Sequence, residues 1–240
     1  RGEFNLRYGK LDIEKAYAFK GSSHVVPLTK KLNLVDWRKD LKKFKFKIEN
    51  WLNKCLHWKQ IFGSVEDEFT SSSKIDLYEL CDVLSNVLPD ECSLVTDSGY
   101  NEVILPTNIK FKNGQNTIHP ISQGAMGFAL AGAVGAYYAK KDNVFVVVGD
   151  GSIMMNLQEA HSIIDNKLNV KIIIFNNDGY LMIKHTQTMM FQRKCVGVNA
   201  QTGVGLPDFN LLMTAFGYKH FELRSMEDFD KTMEDFLSFD

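Results

Sequence analysis

Apolar residues recur at helical spacing from residue 77 onward. Leu77, Leu80, Cys81, Leu84, Val87 and Leu88 mark one face of a helix that Pro89 stops. Asp76, three positions before Glu79, fits a capping box at its start. The period then changes. Residues 92–97 (CSLVTD) predict a short strand. Residues 143–150 (NVFVVVGD) and 170–177 (VKIIIFNN) are denser apolar runs, suited to parallel strands buried on both faces. Residues 122–140 read as a helix rich in Gly and Ala, and residues 156–167 as another. Small side chains let the first lie close to a sheet or a partner helix. Further on, residues 208–217 predict a helix, residues 218–223 (YKHFEL) a strand, and the chain from Met226 a closing helix. Strands alternating with helices give an α/β fold class: a parallel sheet with helices on both faces.

The chain before this region has another character. Residues 30–60 are rich in lysine and tryptophan, among them Lys30, Lys31, Lys42, Lys43, Lys45, Lys47, Trp37, Trp51 and Trp58. They read as a solvated basic face whose aromatic residues dock onto a neighbouring domain. Residues 51–62 (WLNKCLHWKQIF) read as a linker helix, and residues 65–74 (VEDEFTSSSK), acidic and then serine-rich, as a linker. The 28 basic and 29 acidic residues give a net charge of −1, which supplies no field for nucleic acid or an acidic membrane. No run approaches the roughly 18 apolar residues that span a bilayer. Cys55, Cys81, Cys92 and Cys195 form no C-x-x-C pair, which argues against disulfides and structural zinc and for a reducing, cytoplasmic setting.

Two strand ends are unusually polar: Gly149-Asp150-Gly151-Ser152, and Asn176-Asn177-Asp178-Gly179-Tyr180. In parallel α/β sheets, ligands bind where strands end. Right-handed crossovers bring such strands side by side or nearly so. Asp150 offers a carboxylate oxygen, Asn177 an amide oxygen, and the turn at Gly179 a main-chain carbonyl. Three oxygen donors suit a hard cation such as Mg²⁺, which takes further ligands from a substrate's phosphates. Gly151 and Ser152 open a helix whose free N–H groups favour phosphate. Either cluster alone reads as an ordinary turn. The pair, with Asp150 27 positions before Asn177 and a helix and strand between, is far more specific.

Here the sequence resembles the thiamine-diphosphate enzymes, and within them the acetolactate-synthase-like group. GDGS, 23 residues and then NNDGY resemble their cofactor motif. The resemblance implies a thiamine-diphosphate-binding fold and metal ligands Asp150, Asn177 and Gly179. TDSGYNEV (96–103) is similar to the segment that touches the diphosphate, which implies contacts from Gly99, Tyr100 and Asn101. Many acetolactate synthases carry Gln-His at the last two positions. GAMGFALAGAVGA (124–136) resembles the helix that includes Gly124 and Met126, the bulky residue propping the cofactor in its bent form. Tyr180 and Leu181 complete the implied cofactor contacts. By the same resemblance, residues 1–62 would be the end of a middle domain plus a linker helix, 63–74 a linker, and 75–240 the pyrophosphate-binding domain.

The implied function is one half of a thiamine-diphosphate- and Mg²⁺-dependent enzyme that decarboxylates a 2-oxo acid and then ligates carbon to carbon. The cofactor brings carbanion stabilisation and the protein brings position. Met182, Lys184, His185 and Gln187, on a helix roofing the pocket, are substrate-pocket candidates. The other histidines (24, 57, 119, 161 and 220) read as structural, with His119, just ahead of the glycine-rich helix, the one candidate among them for the site. Decarboxylases of the superfamily place a glutamate where this chain has Ile183, which favours the carboligase. The glutamate that protonates the cofactor ring belongs to a pyrimidine-binding domain. That domain would come from an N-terminal part of a longer chain or from a partner subunit, in a homodimer or larger homo-oligomer. Alternatives are a 2-oxo-acid decarboxylase or C–C lyase or hydrolase of the same superfamily, or a non-catalytic remnant of the fold. A nucleotide-binding oxidoreductase is disfavoured, because no G-x-G-x-x-G follows a strand.

Overall fold

The computed structural model describes residues 17–20, 24–27, 37–61, 75–141, 143–192 and 194–239. The chain divides into two compact units, Arg1–Gly63 and Ser64–Asp240. In the first, β1 (Tyr17–Lys20) and β2 (His24–Pro27) form an antiparallel hairpin. Helix α1 (Trp37–Ile61) starts well before the expected linker helix at residue 51. Its Trp51 and Trp58 rings meet edge to face at 5.6 Å and are largely exposed. The linker expected at 63–74 lies outside the described residues, as do Lys30 and Lys31.

The second unit is built on four parallel strands in the order β4-β3-β5-β6: β3 (Cys92–Thr96), β4 (Asn116–Ile118), β5 (Asn143–Gly149) and β6 (Val170–Phe175). All three neighbouring pairs are parallel, so every polar strand end lies on one side of the sheet. Among the described residues, eight α-helices complete the unit: α2 (Leu77–Val87), α3 (Tyr100–Asn108), α4 (Phe128–Lys140), α5 (Asp150–Ile153), α6 (Glu159–Asp165), α7 (Leu181–Met190), α8 (Phe209–Phe216) and the closing α9 (Phe229–Ser238). Along β5 the side chains alternate. Val144, Val146 and Val148 pack with Leu130, Ala133, Ile163 and Met213 of α4, α6 and α8. Phe145 and Val147 pack with Leu84, Leu105, Phe229 and Met233 of α2, α3 and α9. Burying both faces is what a continuous apolar run requires, at about 1.5–3 kcal/mol for each fully buried large side chain.

Asp76 caps α2, accepting from the N–H groups of Tyr78 and Glu79. Two expectations from sequence are corrected. The glycine-rich helix starts at Phe128, not at residue 122. Gly124 and Gly127 have φ of 59° and 81°, outside the right-handed helical region, so the preceding segment is a loop. Residues 218–223 form no strand, and among the described residues β6 is the edge of the sheet. Aromatic packing anchors that segment instead of a ladder. The Phe221 ring stacks edge-on against Phe236 and Phe239, with the Lys219 ammonium over Phe221 and Phe239. Sequence reading also missed β4, a strand of three residues.

Candidate functional site

β5 ends at Gly149, and Asp150 begins α5 directly beyond it. Asp150 is 1% exposed. Its Oδ1 accepts from Gly151 N–H at 2.6 Å; its Oδ2 accepts from the N–H groups of Asn177 at 3.0 Å and Gly179 at 2.9 Å. Burial pushes its carboxyl above the ordinary value. The backbone N–H groups of Gly179, Gly151, Asn177 and Asp178 oppose that rise without cancelling it. A carboxylate offers about four acceptor positions, and three main-chain N–H groups stand within 3.0 Å of this one.

Asn177 and Gly179 lie just past β6, the strand paired to β5. One terminal atom of the Asn177 amide is 2.7 Å from the Gly179 carbonyl oxygen and 3.2 Å from Asp150 Oδ2. With nitrogen in that place, the amide donates to both oxygens. That orientation satisfies both oxygens; the reversed amide would instead set a third acceptor beside them. Adjacent ligands of an octahedral Mg²⁺, at about 2.1 Å from the metal, stand roughly 3 Å apart. The two measured separations bracket that spacing. The Gly179 turn is tightly enclosed. Its φ is 130°, and a Cβ there would meet the Val198 carbonyl oxygen at 2.0 Å. Among the described residues no group of three His, Cys, Asp or Glu side chains gathers as a metal cluster. The donor set is therefore mostly amide and main-chain oxygen.

At the end of β3, Asp97 is fully buried. Its Oδ1 accepts from Ser98 N–H at 2.8 Å and Gly127 N–H at 2.9 Å; its Oδ2 accepts from Ala129 N–H at 2.7 Å. A carboxylate thirty residues upstream thus caps α4, which lacks a side-chain cap of its own. The Asn156 side chain donates to the Gly127 carbonyl at 2.8 Å, and a Cβ on Gly127 would meet Met155 Cβ at 2.6 Å. Sequence reading missed Asp97 and Asn156. Their partners are main-chain groups far along the chain, which leave no residue-type signal.

One cleft of about 950 Å³ brings these strand ends together. Gly99, Tyr100, Asn101 and Met126 line it from the β3 side; Gly149, Asp150, Gly151 and Ser152 from the end of β5; and Asn177, Gly179, Tyr180 and Leu181 from beyond β6. Met182 and Ile183 line it too, whereas Gly124, Lys184, His185, Gln187 and His119 do not. The Gln187 side chain brackets Val196 instead, donating to its carbonyl at 3.1 Å and accepting from its N–H at 2.8 Å. His185 Nδ1 stands 2.8 Å from the Tyr100 hydroxyl, which ties α7 to the start of α3. No residue of α7 is buried. Among the described residues, no helix is long and apolar enough to cross a membrane.

Comparison with known proteins bears on this geometry. The C-terminal TPP-binding domain of thiamine pyrophosphate enzymes matches residues 97–240. The chain is 31% identical over 158 residues to the acetolactate synthase isozyme 2 large subunit of Escherichia coli K12, a match covering 65% of this chain and 28% of that protein. It is 27% identical over 213 residues to the acetolactate synthase large subunit of Porphyra purpurea, covering 88% of this chain and 35% of that one. Among solved structures, a thiamine diphosphate-dependent 4-hydroxybenzoylformate decarboxylase from Rhodococcus jostii RHA1 shares the fold with a TM-score of 0.63 and 24% identity, over 74% of this chain and 33% of that one. The chain thus spans about a third of the length of the curated relatives it matches.

Proposed function

Since the chain belongs to the thiamine pyrophosphate enzymes through their C-terminal TPP-binding domain, we propose that it is the cofactor-gripping part of an acetolactate-synthase-like carboligase acting on a 2-oxo acid. The family's cofactor is thiamine diphosphate, with Mg²⁺ as its usual ion. The convergence of the Asn177 amide, the Gly179 carbonyl and Asp150 at 2.7 and 3.2 Å carries this reading. These residues fit the group: one carboxylate and two neutral oxygens leave a divalent ion with positive charge to share with a diphosphate.

In this reading Asp150, Asn177 and the Gly179 carbonyl hold the ion. Main-chain groups of Gly99, Tyr100, Asn101, Gly149, Gly151 and Ser152 face the diphosphate. Met126, with Tyr180 and Leu181, supports the organic part of the cofactor. Bound thiamine diphosphate supplies a thiazolium that stabilises carbanions. This chain's work is to hold that group in place and to shield the cleft from water with Leu181, Met182 and Ile183 on α7. Isoleucine at 183 puts no acid there, which favours joining carbon to carbon over releasing an aldehyde. Leu181, Met182 and Ile183 remain 38–43% exposed at the cleft, which supports a covering partner. We assign that role to a pyrimidine-binding domain bearing the glutamate, in a homo-oligomer. Cysteine spacing without a C-x-x-C pair supports a cytoplasmic setting.

The test combines this chain with its pyrimidine-binding half and titrates thiamine diphosphate with Mg²⁺ or with a chelator. Uptake is expected only with the ion, and Asp150→Ala should weaken it roughly 100-fold or more. A folded Asp150→Ala protein with full affinity overturns the reading.

A further inference from the structure

A buried carboxylate that the cofactor reading does not use lies at the end of β3. We propose that Asp97 is a positioning residue. It fixes the distance between the diphosphate-facing segment and Met126, and through that distance it governs turnover. The proposal rests on the reading of the cleft given above.

The argument starts from three main-chain donors. Asp97 holds Ser98 N–H on one side and the N–H groups of Gly127 and Ala129 on the other. Ser98 adjoins Gly99, the first of the diphosphate-facing residues; Gly127 adjoins Met126. A single rigid side chain, 0% exposed, therefore spans both segments. Gly127 is held on its other sides as well. Asn156 donates to its carbonyl at 2.8 Å, and Met155 Cβ stands 2.6 Å from where a Cβ of residue 127 would be. With φ of 81° at Gly127, the chain turns so that Met126 lines the cleft while Ala129 enters the helix. The hydrogen bonds of the Asp97 carboxylate go to Ser98, Gly127 and Ala129 and to none of the three proposed ion ligands; Asp150 takes its own donors from Gly151, Asn177 and Gly179. Loss of Asp97 should thus displace the Met126 prop while the ion site stays intact. A shift of about 1 Å at a reacting group can cost on the order of 100-fold in rate.

The experiment uses the chain with its pyrimidine-binding half, saturated with thiamine diphosphate and Mg²⁺. Asp97→Asn keeps the shape but presents a donor where Ala129 N–H needs an acceptor. Expected are a kcat lowered roughly 30- to 100-fold, and half-saturating concentrations of thiamine diphosphate and Mg²⁺ within about threefold of the parent. Amide exchange at Gly127 and Ala129 should quicken at least about tenfold while residues 144–148 stay protected. Asp97→Glu, which restores the charge on a longer stem, should recover part of kcat. A folded, cofactor-loaded Asp97→Asn protein with parental kcat overturns the proposal, as does a kcat loss matched by an equal loss of cofactor affinity. If Asp97→Asn does not fold, Asn156→Ala releases the same glycine from its other side and decides the matter. Lowered kcat at unchanged cofactor half-saturation supports the proposal, and unchanged kcat overturns it. A parent protein that takes up no cofactor with Mg²⁺ would instead sink the reading of the cleft, a distinct result.

Discussion

β3 and β5 lie side by side, and each delivers a buried aspartate at its polar end. The two are alike in burial and in collecting three main-chain N–H groups, yet their surroundings differ. Asp97 meets only donors, drawn from its own turn and from the start of α4. Asp150 meets donors and, across the Asn177 amide that reaches both, the Gly179 carbonyl oxygen. A buried carboxylate surrounded by N–H groups alone is a structural pin. One that has another acceptor close by is, in the proposed reading, a place for a cation. Burial and hydrogen-bond number do not separate the two roles, but the company of other oxygens does.

The glycines beside each aspartate test this difference. Gly179→Ala should have the largest effect. Its Cβ would strike the Val198 carbonyl at 2.0 Å, and that carbonyl is itself held by Tyr180 N–H at 2.8 Å, so neither side can yield cheaply. A loss above about 3 kcal/mol is expected, together with loss of Mg²⁺-dependent cofactor uptake. At the other end, Gly127→Ala meets a side-chain carbon at 2.6 Å and should cost about 1–3 kcal/mol with uptake retained. Thermal unfolding and calorimetric titration read both. Equal effects on uptake would erase the distinction between pin and ion site.

A smaller effect concerns the apolar layer beneath β3. Burial is the main cause that pushes the Cys81 thiol up to about 12, with Asp76 and Asp82 adding to it. The folded state then keeps its proton after the unfolded state has lost it. Stability should therefore fall as pH rises from about 9 towards 12. Cys81→Ala should flatten that slope in denaturant melts without altering cofactor uptake; an unchanged slope would refute the assignment. The smallest effect is expected from Tyr100→Phe. It removes one exposed hydrogen bond to His185 and should change stability by no more than about 0.5 kcal/mol.

The parallel sheet and the β5 end were legible because their signals are local. Val144 to Val148 form one unbroken run, Asp150 follows β5 directly, and Asn177 and Gly179 come within one turn of the end of β6. The β3 end was half legible. Gly99 and Met126 fell within recognisable segments, but Asp97 acts through amides thirty residues later, and a backbone amide looks the same in every residue but proline. The helix placed at 122 failed for a related reason. Gly124, Ala125 and Gly127 suit a close-packed helix as well as a loop, and the positive φ that decides between them is imposed by tertiary contacts. Tyr218 to Leu223 show why an amphipathic stretch is weak evidence for a strand. Pairing needs a neighbour, and Phe221 found aromatic partners on α9 and just past its end instead.

The Asn177 amide has one more implication. A half-turn about a single side-chain torsion interchanges its two ends, and with them the chemical sense of the whole turn. With its nitrogen toward the Gly179 carbonyl and Asp150, the amide satisfies both oxygens by itself. The turn is thus self-supporting before any guest arrives, and in the proposed reading an incoming ion would first have to displace that amide.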